Sequence, residues 1–117
     1  MNTPVNFELA KLLKEKGFNE PCNQLYFDGE LKKITVQKVS YDDTLSSRYY
    51  IAPTIAEVIM WLYEKHGIWI SVKLGYGHEY VVQSTQSPFS FIYSDGTYNS
   101  PTEAYEAAIE YTLKNLI

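Results

Sequence analysis

The alternation of apolar and polar positions predicts three helices separated by short strands. Between Phe7 and Lys16, Leu9, Leu12 and Leu13 fall on one side, and Glu8, Lys11, Lys14 and Glu15 on the other. That is the signature of an amphipathic helix. Two starts are open to it: Asn6 as the cap, or Thr3 as the cap with Pro4 in the first helical position. Gly17 supplies a left-handed stop, after which Phe18 folds back onto Leu13. A second helix is expected from Thr54 to His66, opened by a Thr54/Glu57 capping box and stopped at Gly67, with Ile68 placed to touch Tyr63. Its apolar residues (Ile55, Ala56, Val58, Ile59, Met60, Leu62 and Tyr63) sweep an arc of roughly 200°, the width of a central helix covered on more than one side. The third helix begins behind Ser100-Pro101-Thr102-Glu103, another capping box, and runs to about Leu116. Tyr105, Ala108, Ile109, Thr112, Leu113 and Leu116 form its apolar stripe, opposite Glu103, Glu106, Glu110 and Lys114.

Between the helices the period shortens to two. Leu25-Tyr26-Phe27, then Asp28-Gly29, then Glu30 onward reads as a hairpin, because Asp-Gly accepts the positive φ angles of a tight type I′ turn. The returning arm, Leu31 to Val39, places Ile34 and Val36 on one face and Leu31 on the other, which predicts a bulge near Lys32-Lys33. Tyr41 to Ser47 is polar and reads as a loop, and Arg48 to Ala52 as a short strand. After Gly67, Ile68, Ile70, Val72 and Leu74 alternate with Trp69, Ser71 and Lys73. Gly75 to His78 turns the chain and Glu79 to Ser84 returns it. Thr85 to Pro88 breaks the pattern, and Phe89 to Tyr93 adds a third strand. The predicted class is α+β, in the order α-ββ-(β)-α-βββ-α, with an antiparallel sheet of about four to six strands and helices packed on one face. The two Pro-Thr pairs, Pro53-Thr54 and Pro101-Thr102, are convergent helix-start chemistry rather than a repeat.

With 117 residues and 13.5 kDa, the chain is sized for one globular domain, residues 1–117. Its net charge of −4, from 10 basic against 14 acidic residues, together with a single arginine, argues against binding nucleic acid. No apolar run approaches the ~18 residues of a membrane span, and the N-terminus carries no basic and apolar leader pattern. Cys22, the one cysteine, cannot form an internal disulfide, so a reducing, cytoplasmic setting is expected.

The sequence holds no glycine-rich phosphate loop, paired-cysteine metal spacing, His-Glu-x-x-His or nucleophile elbow. No catalytic residue, metal ligand or cofactor site is therefore assigned. His66, in the last turn of the second helix, is explained by the helix dipole. His78, beside Glu79 in a turn, is the one candidate acid/base, yet strand neighbours point to opposite faces and do not pair readily. Cys22 lacks the cationic neighbour that would activate a thiol. Glu103, Glu106 and Glu110 read as a solvated face with Lys114 as ion-pair partner, and Asp42-Asp43 shows no EF-hand pattern.

The aromatic residues are more informative, since Tyr alone accounts for 11 positions and pairs an apolar ring with a polar tip. Trp61 lies about 40° from Glu57 and from Lys65 on the second helix, so it is either covered by another element or an exposed anchor. Trp69 shares a strand face with Ser71 and Lys73. Arg48-Tyr49-Tyr50 sets the only guanidinium beside two rings, a grip for an anionic or planar ligand.

Three stretches, Val5–Phe18, Ala52–Ile70 and Asn99–Tyr111, resemble a family of small hypothetical proteins of gut bacteria, their phages and mobile elements. The resemblance covers roughly half the chain, mainly its helices, and implies a small accessory protein of phage or mobile-element type; it supplies no catalytic or ligand residues. The expected function is non-catalytic binding of another protein or of a second copy, through Trp61 and Trp69. The alternatives are a binder of a small nucleotide-like ligand at Arg48, Tyr49 and Tyr50, and a small enzyme using His78.

Overall fold

A computed structural model describes residues 3–35, 38–41, 48–86 and 90–117. It is an α+β fold in the expected order: α1 (Phe7–Glu15), β1 (Gln24–Phe27), β2 (Glu30–Lys33), β3 (Tyr49–Ile51), α2 (Ile55–His66), β4 (Ile68–Leu74), β5 (His78–Ser84), β6 (Ser90–Tyr93) and α3 (Pro101–Asn115). The six strands form two antiparallel sheets of three, ordered β2-β1-β3 and β4-β5-β6. The chain divides into two compact units, Pro4–Thr54 and Ile55–Ile117, with Thr3 belonging to the second.

In the N-terminal unit, Asn6 is the cap of α1: its Oδ1 accepts from the Leu9 N–H at 2.9 Å. Gly17 stops the helix at φ +90°, and the Phe18 N–H then donates to the Leu13 carbonyl at 2.9 Å. Both residues whose side chains that fold-back brings in, Leu13 and Phe18, are buried. The Asp28-Gly29 turn has both φ angles positive, 53° and 80°, and pairs Phe27 with Glu30 directly across it.

Two expectations for the returning arm need correction. The ladder runs without interruption from Phe27↔Glu30 to Gln24↔Lys33, so Lys32-Lys33 carries no bulge, and β2 ends at Lys33. Pairing continues through the Ile34 N–H to the Asn23 carbonyl and resumes at Cys22↔Val39. Val36, which shared that expectation, lies outside the described residues, as do Asp42 to Ser47 of the expected loop and Ser87 to Phe89.

In the C-terminal unit, Ile55, Val58, Ile59 and Leu62 of α2 are buried with Ile68, Ile70 and Val82 of the sheet and Ala104, Ala108, Ile109 and Leu113 of α3. The apolar arc of α2 is only partly covered, however. Met60 and Tyr63 are exposed, while Trp61, expected on the polar side, is 6 % exposed. Gly67, at φ +65°, ends the helix. Tyr63 meets Trp69 edge to face, with ring centroids 5.5 Å apart. Ser100 caps α3 through Oγ to the Glu103 N–H (3.1 Å), and Glu103 reaches back to the N–H of Asn99, one residue before the cap. On α3 the buried stripe includes Ala104 and excludes Leu116, which is exposed beyond the helix end.

Candidate functional site

Strand alternation decides which aromatic side chains reach the surface. In β4, Ile68 and Ile70 point inward and Trp69 outward. The register sets Trp69 opposite Gln83, and Gln83 opposite Phe91; two residues along, Ser71, Val81 and Tyr93 form the next rank, and Lys73 pairs with Glu79 beyond. Residues directly opposite share a face, so Trp69, Phe91 and Tyr93 stand together on one side of the sheet. They are 38, 55 and 62 % exposed. Trp69 is braced by Tyr63, and with Met60, Gln83 and Thr85 these two residues line an apolar groove of about 470 Å³. At the far end Lys73 lies 3.5 Å from a Glu79 oxygen, and its Nζ is 5.9 Å from the Tyr93 ring centre. The face is thus aromatic, with one cation and one anion side by side.

A second candidate lies in the N-terminal unit, at the turn end of its sheet. Phe7, Phe27, Asp28, Gly29, Arg48 and Tyr50 line an open cavity of about 610 Å³. Phe7 meets Tyr50 edge to face at 5.5 Å and Tyr26 at 5.4 Å, which holds its ring in place from two sides. The Lys14 Nζ sits 4.8 Å from the Tyr41 and Tyr50 ring centres and donates to the Tyr49 carbonyl at 3.2 Å. Burial of this amine lowers its pKa from the usual 10.5. Tyr49 does not join the cavity. Its position in β3 alternates with Tyr50, and it is buried, stacked on Tyr41 and donating its hydroxyl to the Ser40 carbonyl at 2.7 Å.

The five residues singled out for binding are therefore separated. Trp69 is exposed in one unit; Arg48 and Tyr50 line a cavity in the other; Tyr49 and Trp61 are buried. Trp61 packs edge to face with His66 at 4.9 Å, so its contacts are internal. His78 sits in β5 with backbone hydrogen bonds to and from Tyr98, while Glu79 turns to Lys73. Cys22 is buried and its thiol lies 3.3 Å from the Glu20 carbonyl. Glu110 pairs with Lys114 at 2.7 Å. Among the described residues no cluster of three or more His, Cys, Asp or Glu could hold a metal ion, and no helix is long and apolar enough to cross a membrane.

Sequence reasoning missed Phe91, Tyr93, Met60 and Tyr63 as surface residues. The parity of Phe91 and Tyr93 against Ile92 was available, but the register that aligns them with Trp69 was not. No family model matches the chain, and no curated protein or solved structure matches it.

Proposed function

We propose that this chain is a non-catalytic binding protein that associates with a second copy of itself through the outer face of β4-β5-β6. The observation that carries this reading is the exposure of Met60, Tyr63 and Trp69 around one groove, with Phe91 and Tyr93 on the same side of the sheet across Gln83 and Val81. At 150–250 Å² for each large side chain, their exposed fractions amount to roughly 500 Å² of apolar surface. That is near the upper end of ~300–600 Å² for the largest patch on a monomer, and more than half of the ~800 Å² each partner contributes to a standard interface. Charge selects the occupant. Lys73 and Glu79 offset one another at one end of the face, and under two-fold symmetry each can meet its opposite in the other copy. An acidic or basic partner would leave one of them against a like charge. An accessory role in the cytoplasm, of the phage or mobile-element type, belongs to the same proposal, supported by the resemblance of the three helices and by the lone buried thiol of Cys22.

Sedimentation across a concentration series tests this. The natural chain is expected to dimerise, and Phe91→Ser combined with Trp69→Ser to remain monomeric with an unchanged far-UV spectrum, since both side chains are partly in water already. A natural chain that stays monomeric up to about 1 mM, where even a contact worth ~4 kcal/mol would register, removes the proposal.

A further inference from the structure

We propose that the cavity at the turn end of the first sheet is a binding site for a planar heteroaromatic ligand carrying a single negative charge, the charge of a phosphodiester. This goes beyond the association proposed above and uses none of its residues. The cavity, about 610 Å³ and lined by Phe7, Phe27, Asp28, Gly29, Arg48 and Tyr50, is within the range of ~300–1,000 Å³ typical of small-molecule sites. It is large for a lone carboxylated ring and suited to a ring joined to a sugar phosphate.

Three features set the ligand's chemistry. First, the rings are arranged before any ligand arrives. Phe7 and Tyr50 stand at 84° to one another, a corner in which a flat molecule meets one ring by its face and the other by its edge. The Lys14 amine covers one side of Tyr50, and Phe27, 39 % exposed, brings a third ring to the same space. Second, Arg48 is the only arginine, and among the described residues no carboxylate pairs with it. Its planar fork of donors matches two oxygens of a phosphate. Third, Asp28, itself the turn residue at φ +53°, lines the same space. The guanidinium attracts an anionic group, aided by the Lys11 and Lys14 amines over the Phe7 and Tyr50 rings, while the Asp28 carboxylate opposes the accumulation of further negative charge on its side of the space.

Titrations followed by amide NMR, with adenosine 3′,5′-cyclic monophosphate, ATP, adenosine and inorganic phosphate as probes, test the site. The cyclic nucleotide is expected to shift the amides of Phe27 to Gly29 and of Arg48 to Tyr50. Adenosine and phosphate, each lacking half of the recognised group, are expected to bind at least about tenfold more weakly. Arg48→Ala should weaken the cyclic nucleotide by about ten- to a hundredfold, the range for a lost hydrogen bond to a charged group. Because Arg48 is exposed, the fold is retained. Asp28→Asn, which keeps a residue tolerant of positive φ, should narrow the preference for the cyclic nucleotide over ATP. Absence of shifts at these amides with every probe at millimolar concentration overturns the proposal. So does adenosine binding as tightly as the cyclic nucleotide, or binding indifferent to Arg48→Ala.

Discussion

Tyr41 shows how much one hydroxyl can hold. Its oxygen accepts the Ile51 N–H at 2.6 Å, and its own N–H donates to Asn19 Oδ1 at 2.6 Å. Ile51 is buried at the inner face of β3, so Tyr41→Phe leaves its N–H without that acceptor. The expected loss is about 1–3 kcal/mol, the cost of an unsatisfied buried group, measurable by urea unfolding at neutral pH. Burial pushes the phenol up to about 12 from 10.0; the Ile51 hydrogen bond works against this, and the neighbouring Tyr49, Tyr50 and Cys22 add to it. Between those pH values the folded protein keeps a proton that the unfolded chain has lost. The associated stability is complete below pH 10 and disappears as pH rises towards 12. Lys14, whose pKa burial lowers, acts in the opposite sense as pH approaches 10.5, which postpones the alkaline loss. Burial, followed by Tyr98, also raises the Tyr80 phenol. Unfolding free energy measured from pH 9 to 12 should therefore fall more gently in Tyr41→Phe than in the natural chain, without becoming flat. An identical slope in the two would refute this account of Tyr41.

At the scale of elements, turns carry most of what is specific. The β4–β5 connection closes with the Gly75 N–H on the Gly77 carbonyl at 2.8 Å, and the adjacent His78 exchanges two backbone hydrogen bonds with Tyr98. That exchange draws Thr97 against Gly77: a Cβ placed there would lie 2.6 Å from the Thr97 Cβ. Gly77→Ala should thus cost about 1–3 kcal/mol, as overpacking does. Gly17→Ala meets nothing within 4 Å and should lose only the ~1–2 kcal/mol of a left-handed backbone. The two costs differ in kind, and a double-mutant cycle separates them. Adding Thr97→Gly should recover most of the Gly77→Ala loss in thermal unfolding, Thr97→Ala much less, and neither should help Gly17→Ala. Other local features were legible from residue types alone: Gly17, Asp28-Gly29, Gly67 and Ser100 each satisfy a geometric or hydrogen-bonding need within a few residues, whereas the choice of Asn6 over Thr3 as the α1 cap came only with the structure. Pairing at long range was not. Nothing local links Leu25 with Ile51, so the division of six strands into two sheets was hidden, and so was the return of the chain to Cys22 at Val39.

For the whole molecule, the same limit explains why the candidate site was half legible. Arg48 and Tyr50 were found because an arginine beside rings is conspicuous in any fold, and strand alternation then removed Tyr49. Trp61 and Trp69 looked alike in sequence, each next to polar neighbours, but only tertiary packing could bury one and leave the other 38 % exposed. That contrast provides a reading of the proposed association inside the protein itself. Acrylamide should quench two classes of indole fluorescence in dilute protein, an accessible one lost in Trp69→Phe and a protected one lost in Trp61→Phe. As concentration rises and copies meet, the accessible class should shrink while the protected class stays constant. Salt distinguishes the forces involved. Each copy carries a net charge of −4, a repulsion that salt screens over about 10 Å at 0.1 M. Apolar contact between aromatic faces is insensitive to that screening, so raising salt should tighten the dimer and move the Trp69 transition to lower concentration. Were Lys73 and Glu79 the main attraction, salt would loosen it instead. A Trp69 class that remains equally quenchable at every concentration and salt level would mean that this face stays in water and that copies meet elsewhere or not at all.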